Sequence, residues 1–466
     1  MIRKIGRVLN DLATPAKIVL SFLAIILLGS FLLSLPISQL PGSKATYFDH
    51  LFTAVSMICV TGLYTQPAYA TYNTFGKWIN IFLMQSGGLG IITLVAAVFT
   101  QLGRRVSVRD ELTLGEALNR EELTDFPKFI RSVIKYTFVI EFTGMALLSF
   151  YFVPKWGFSR GVFTSFYLAV SAFNNAGFDP FGANSLIDYV GNPLITFVIP
   201  GLIILGGIGF SVWIDVVNNV QSLIKEKKWK PSFWIKQYHR LQLHSQMVIN
   251  FTVLLLTVGT VLFLAAEWNN PASIGSLSVF DKLQASYFQS ATMRTAGFAS
   301  VDYTKVTLFS ILMFCGLMFI GGSPGGTAGG TKTSTVALVT KLIFAETRGL
   351  SQVNYKKHTL SLDIIRRGLV IIVAFTLTLF AGIALLALFD SDKPFEFLVF
   401  EAFSALATVG VSANLTPTLS RMSQSVLMCL MFLGRLGPIT IFTALRMRKK
   451  KSQKEVVYAT GHILIG

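Results

Sequence analysis

Four glycines recur at nearly equal intervals along this chain of 466 residues, and each closes an aromatic-rich segment that contains serine. They stand in Val60-Thr61-Gly62-Leu63, Asn175-Ala176-Gly177-Phe178, Thr295-Ala296-Gly297-Phe298 and Thr408-Val409-Gly410-Val411. Repetition has to be settled first, because a repeated unit dictates the fold. Four such units in one apolar chain imply a single enclosure with four unequal walls.

The walls belong in a membrane. Hydrophobic residues make up 52% of the chain and charged residues 14%. A water-soluble domain with so few charges could not cover its surface. Apolar runs near the roughly 20 residues that span a bilayer recur throughout. The formal net charge of +17 raises the question of nucleic acid, but its distribution argues against that. Lys and Arg concentrate at the termini and in loops 101–131, 221–246 and 341–367, alternating with basic-poor loops. This is the positive-inside pattern, and it places both termini and these loops in the cytoplasm. The apolar run 18–35 is too long for a signal-peptide core and reads as the first spanning helix. Cys59, Cys315 and Cys429 are unclustered and sit in apolar runs, as small packed hydrophobes would. No His/Cys/Asp/Glu constellation converges in the apolar half, so an enzyme is not expected.

Each unit reads as a spanning helix, a short apolar segment ending at the Gly, and a second spanning helix. The outer helices fall near 16–36, 130–153, 247–267 and 366–389, and the short segments near 47–60, 159–174, 280–294 and 395–408. The second helices fall near 76–100, 192–219, 305–343 and 422–446. The short segments cannot cross a bilayer as helices and read as re-entrant pore helices. Registered on the Gly, Phe52, Tyr167, Tyr287 and Phe400 share one offset, and Ser56, Ser171, Ala291 and Ser404 share another four residues later. Residues four apart lie on one helix face. The expected fold is therefore an all-α polytopic membrane protein: four pseudo-symmetric helix–pore loop–helix repeats around one pore, with eight transmembrane helices. The repeats would be 1–105, 106–230, 231–350 and 351–446, followed by a cytoplasmic tail 447–466.

Irregular backbone inside a bilayer is tolerated only where it is buried or lines water. Facing one another, the four Gly segments meet that condition, and their carbonyls can replace the hydration shell of a cation. Thr408-Val409-Gly410 reads like the carbonyl loop of a potassium channel. One Gly per segment, rather than Gly-x-Gly, predicts fewer stacked sites and weaker potassium-over-sodium discrimination. Asp179, Glu267 and Asp302 read either as mouth charges that concentrate cations or as ordinary surface.

The second helices carry matched small-residue tetrads: Gly87-Gly88-Leu89-Gly90, Gly206-Gly207-Ile208-Gly209, Gly321-Gly322-Ser323-Pro324 and Gly434-Arg435-Leu436-Gly437. Close helix packing explains the first two. In the third copy Gly321, Gly322, Ser323, Gly325, Gly326, Thr327, Gly329 and Gly330 break the helix, and they read as a flexible loop in the permeation path. The stretch through Lys332 resembles a phosphate loop, but Thr331 separates Gly330 from Lys332 and no strand precedes it, so no nucleotide is expected on this chain. In the fourth copy Arg435 stands where copies one and two have Gly. An Arg at mid-membrane costs about 2.5–3.5 kcal/mol on insertion scales, so it faces a cavity or polar partners. With the loop it reads as a gate; the rival reading is a helix staple. Arg294 and Lys332 read as braces donating to carbonyls. The partner of Glu141 is not identifiable from sequence.

Together, the four units, Asn174-Asn175-Ala176-Gly177-Phe178, Arg294-Thr295-Ala296-Gly297-Phe298, loop 320–335 and Gly434-Arg435 resemble the Trk/Ktr/HKT superfamily of potassium transporters over nearly the whole chain. The absence of extra N-terminal spanning helices makes the chain more similar to KtrB-type than to TrkH-type members. The resemblance implies K+ at the four Gly segments and gating by loop 320–335 with Arg435. It also implies a homodimer in a bacterial inner membrane, and a cytoplasmic ring of KtrA-like RCK subunits that binds ATP or ADP. Na+ stimulation is common in such systems, although no sodium site is readable here. The basic loops could meet that ring or anionic lipid. An alternating-access cation symporter is the alternative, but such folds repeat two-fold rather than four-fold.

Overall fold

The computed structural model describes residues 14–90, 126–181, 185–226 and 238–445. Among them the chain is helical, apart from a hairpin pairing Asn354–Tyr355 with His358–Thr359. Four long apolar helices can each cross a membrane: α1 (Thr14–Ser34), α4 (Phe126–Trp156), α8 (Leu243–Glu267) and α12 (Leu362–Phe389). Each packs on the pore helix that follows it: α2 (Tyr47–Ile58), α5 (Phe158–Phe173), α9 (Val279–Thr292) and α13 (Phe395–Leu406). At 12 to 16 residues these are half-membrane segments, as expected. Large side chains on α1 and α12, such as Phe31 and Phe380, stay exposed. An apolar solvent makes that exposure costless.

The second helices of the described repeats all start alike. The N-cap side chains Asn73, Asn192, Thr307 and Ser420 accept from backbone N–H groups of the first turn, satisfying donors the helix itself cannot. In repeats three and four an acid at the end of the outer helix reinforces the start. Glu267 accepts from the Thr307 N–H at 2.8 Å, and Asp390 accepts from the Ser420 N–H at 3.1 Å. Glu267 is thus a buried helix clamp rather than a mouth charge, and Asp302 is an exposed-side partner of Lys305 at 3.3 Å.

These helices do not continue as the sequence predicts. α3 (Thr74–Leu89) ends at Gly90, and the expected remainder to 100 lies outside the described residues. α6 (Pro193–Gly207) turns by 101° into α7 (Phe210–Glu226). α10 (Leu308–Phe319) and α11 (Thr333–Thr347) are separated by the glycine-rich loop. α14 (Arg421–Leu436) stops at Gly437 before α15 (Pro438–Leu445). Gly90, Gly209 and Gly437, the last residues of their tetrads, have φ of 79°, 97° and 83°, which L side chains resist. The packing explanation expected for the first two tetrads holds for their first residue, and it extends to Gly434 of the fourth. A Cβ on Gly87, Gly206 or Gly434 would strike the carbonyl oxygen of Ile58, Phe173 or Leu406, the last residue of the adjoining pore helix. It misses the break that the last glycine makes.

Cys59 and Cys315 are buried as expected, whereas Cys429 is exposed on α14.

Candidate functional site

Each pore helix ends in an irregular segment of one recurring geometry. In repeat one, the N–H of Val60 donates to Met57 O at 3.1 Å and that of Thr61 to Ser56 O at 2.8 Å. Val60 itself is left-handed at φ 55°. This is a Schellman termination, with a β-branched residue at the position where Gly is usual. Asn175 (φ 57°) and Thr408 (φ 54°) repeat it, with the same two hydrogen bonds to Ala172 and Ser171 and to Ala405 and Ser404. Thr295 is also left-handed at φ 67°, but its neighbour Ala296 donates to Thr292 O instead. Three of the four residues are Val or Thr, for which this conformation costs about 1–3 kcal/mol, a strain that collects at functional sites.

The serines at the shared offset acquire a reason. Ser56 Oγ accepts from the Gly62 N–H and Ser404 Oγ from the Gly410 N–H, both at 3.0 Å, and Ser171 Oγ accepts from the Phe178 N–H at 3.0 Å. Ala291 cannot do this; in repeat three Thr292 Oγ1 donates to Phe298 O at 2.8 Å. Leu63, Phe178, Phe298 and Val411, which follow the glycines, are buried.

The four segments close on one another in cyclic order. A Cβ on Gly62 would meet Ala176 O at 2.9 Å, one on Gly177 would meet Ala296 O at 2.8 Å, and one on Gly297 would meet Val409 O at 2.6 Å. One on Gly410 would collide with Thr61 O. Four carbonyl oxygens from four repeats thus lie within a side chain's width of the next repeat's glycine. All four pore helices point their C-termini, the negative ends of their dipoles, at this ring.

Beneath the ring lies the glycine-rich loop, and it is tethered rather than loose. Internally, Gly321 N–H donates to Thr331 O at 2.9 Å and Gly322 N–H to Gly329 O at 3.3 Å. Gly325 and Gly330 supply the left-handed turns at φ 69° and 68°. Repeat two holds one side. Gly207 O accepts from the Ser323 N–H at 2.8 Å, Gly206 O from the Thr327 N–H at 3.1 Å, and Phe173 O from Thr327 Oγ1 at 2.9 Å; Phe210 N–H donates to Gly325 O at 3.0 Å. A Cβ on Gly326 would sit 2.9 Å from Gly206 O. From above, Thr295 Oγ1 accepts from the Gly329 N–H at 3.1 Å. A Cβ on Gly329 would strike the Thr408 hydroxyl. On the far side Arg435 donates to Thr327 O, to Gly87 O and, at 3.1 Å, to Gly88 O. One guanidinium therefore joins the loop of repeat three to the helix break of repeat one.

The other singled-out residues divide. Lys332 Nζ donates to Ala328 O at 2.7 Å, the bracing expected of it. Arg294 is buried, yet its Nε has no acceptor, and no hydrogen bond from its side chain to a loop carbonyl is present among the described residues. The bracing expected of Arg294 is thus not found. Glu141 finds a partner the sequence could not name: its Oε1 accepts from Asn174 Nδ2 at 3.1 Å, and the same amide reaches Gln85 Oε1 at 2.7 Å. Asp179 accepts from Ser185 Oγ at 2.6 Å and the Phe181 N–H at 3.0 Å, and burial pushes its carboxyl up to about 6 against those bonds. Sequence reading missed Gly206, Gly207 and Phe173 as loop anchors, because each acts through a backbone carbonyl that any residue possesses.

Residues 14–455 match the family described as TrkH, cation transport protein. The chain belongs to this family. Within the TrkH family it is 37% identical to the Ktr system potassium uptake protein B of Vibrio alginolyticus, over 92% of this chain and 90% of that one. It is 33% identical to the protein of the same name from Bacillus subtilis, over 97% and 96%. The crystal structure of the potassium transporter TrkH from Vibrio parahaemolyticus superposes with a TM-score of 0.69 at 17% identity, covering 92% of this chain and 83% of that chain. At that identity the likeness shows the TrkH fold alone, in keeping with a polytopic helical membrane protein.

Proposed function

We propose that the chain is the membrane subunit of a potassium-uptake system. It conducts K+ through the carbonyl ring at Gly62, Gly177, Gly297 and Gly410, and is closed below by loop 320–335 and Arg435. The cyclic contact of the four glycines carries this reading. No side chain fits there, so only backbone oxygens face a passing ion, and a desolvated cation is what such oxygens suit. The names of the Vibrio alginolyticus and Bacillus subtilis relatives support potassium as the cargo. The hydrogen bonds that carry the loop across from repeat two to Arg435 support a barrier directly under the ring. A guanidinium there also repels cations while the loop is in place.

The pore mouth faces outward and the basic connection 341–367 faces the cytoplasm of a bacterium. There the hairpin turn presents Lys356 and Lys357, both left-handed, with Lys357 exposed. We assign this surface to a nucleotide-binding RCK ring that relieves the barrier, acting on a homodimer with one pore per subunit. Uptake by a bacterium stripped of its own potassium systems, with and without a co-expressed RCK subunit and with and without sodium, tests the proposal. Potassium-dependent growth restored by the parent chain and lost with Gly410→Ser is expected. Equal potassium and sodium uptake by both would overturn the filter assignment.

A further inference from the structure

Where α3 of repeat one meets α4 and α5 of repeat two, a crevice of about 1630 Å³ opens on the side where the outer helices end. That exceeds the roughly 300–1,000 Å³ of ordinary small-ligand pockets. Its wall is a run of aromatic rings: Phe142 stacks on Phe166 at 6.1 Å, Phe166 meets Trp78 at 5.8 Å, and Trp78 meets Phe163 edge-on at 5.5 Å. Trp78 and Phe142 are each 50% exposed.

The charges at its mouth are unusual. Lys77 and Arg160 both line the crevice, and neither forms an ion pair among the described residues. Arg160 lies 5.1 Å over the Trp156 ring, and Lys155, beside it, lies 4.6 Å over Tyr189. Asp188 is the single acid in the lining, against the two cations there and Lys155 alongside. The mouth therefore keeps a positive excess on the side that the positive-inside rule depletes of Lys and Arg. Aromatic belts explain Trp78 and Trp156, but not cations in excess over the single acid beside them.

We infer that this crevice binds an anionic glycerophospholipid, with its phosphate between Lys77 and Arg160 and an acyl chain along the Phe142–Phe166–Trp78 wall. Charge complementarity selects the headgroup, and the apolar length of the wall selects a chain-bearing ligand over a free phosphate.

The test is native mass spectrometry of the purified full chain from nanodiscs of equal phosphatidylglycerol and phosphatidylcholine. The parent should retain phosphatidylglycerol in preference to phosphatidylcholine, and the double variant K77A/R160A should lose most of that preference, roughly ten-fold. A control pair on the same side but away from the crevice, K305A/K393A, should keep it. Retention unchanged in K77A/R160A overturns the inference, as does equal retention of the two lipids by the parent. Dissociation into single subunits with lipid retention intact also overturns it, since the crevice would then be a contact between two copies of the chain. Trp78→Phe, which keeps the wall, should retain the lipid preference.

Discussion

The carbonyl ring and the loop beneath it are both glycine-rich irregular backbone at membrane depth, but they are held in opposite ways. In repeats one, two and four, each ring segment is fastened to its own pore helix, by Schellman hydrogen bonds and a serine hydroxyl within seven residues in sequence. The loop is fastened to other repeats: to Phe173, Gly206 and Gly207 of repeat two, and to Arg435 of repeat four. A local fastening is rigid, because it forms with the helix. A long-range one depends on neighbours and can be released when they shift. Repeat three stands between the two regimes. It lacks the serine, and Thr295, its left-handed ring residue, spends its hydroxyl on the Gly329 N–H.

The largest effect should come from the ring. Gly410→Ser places a Cβ onto Thr61 O at a backbone φ of 92°, and potassium uptake should fall by about ten-fold or more, the consequence of ~1.4 kcal/mol or greater. Tracer uptake equal to the parent would show that the segments do not meet in the working protein. Next comes the far tether of the loop. Arg435→Ala removes its hydrogen bonds to Thr327, Gly87 and Gly88, and deleting 323–331 removes the proposed barrier. Both should raise cation flux several-fold in liposomes without any partner, and lower flux from the folded deletion variant would show the loop to be support rather than barrier.

Smaller still is the serine cap. Ser404→Ala leaves the buried Gly410 N–H without its acceptor, about 1–3 kcal/mol. The expected result is weaker potassium-over-sodium preference and a lower unfolding temperature, while Ala291→Ser in repeat three leaves both near parent. The smallest is electrostatic. Because burial holds the Asp179 carboxyl near 6, above its usual value, ionisation is disfavoured in the folded protein, and the mouth gains this charge only as pH rises through about 6. Uptake at low potassium should rise between about pH 5 and 7, by no more than about two-fold on this single charge, and Asp179→Asn should flatten that rise.

Much of this was legible in the residues. The outer and pore helices fall within a few residues of their expected places, because apolar length and capping are local properties. The ring glycines show as a repeat, and registering the chain on them singles out Ser56, Ser171 and Ser404, whose hydrogen bonds supply the reason. The sequence suggests packing for the tetrads of Gly90 and Gly209 and does not show the breaks there or at Gly437, because a Gly that admits a neighbour and a Gly that reverses φ look the same in a sequence. Among the described residues Arg294 makes no bracing bond to the third ring segment, while Lys332 donates to Ala328 O of its own loop, since only coordinates say which cation has a carbonyl within reach.

The sequence by itself determined a membrane chain of four repeats with a glycine at each turn, since hydrophobic length, spacing and capping are written residue by residue. Only the tertiary structure decided that the four glycines abut in a ring, that the loop is a tethered crossbar, and that Arg435 ties repeat three to repeat one. Those facts rest on backbone carbonyls of distant segments, and a carbonyl carries no residue identity until folding brings it into range.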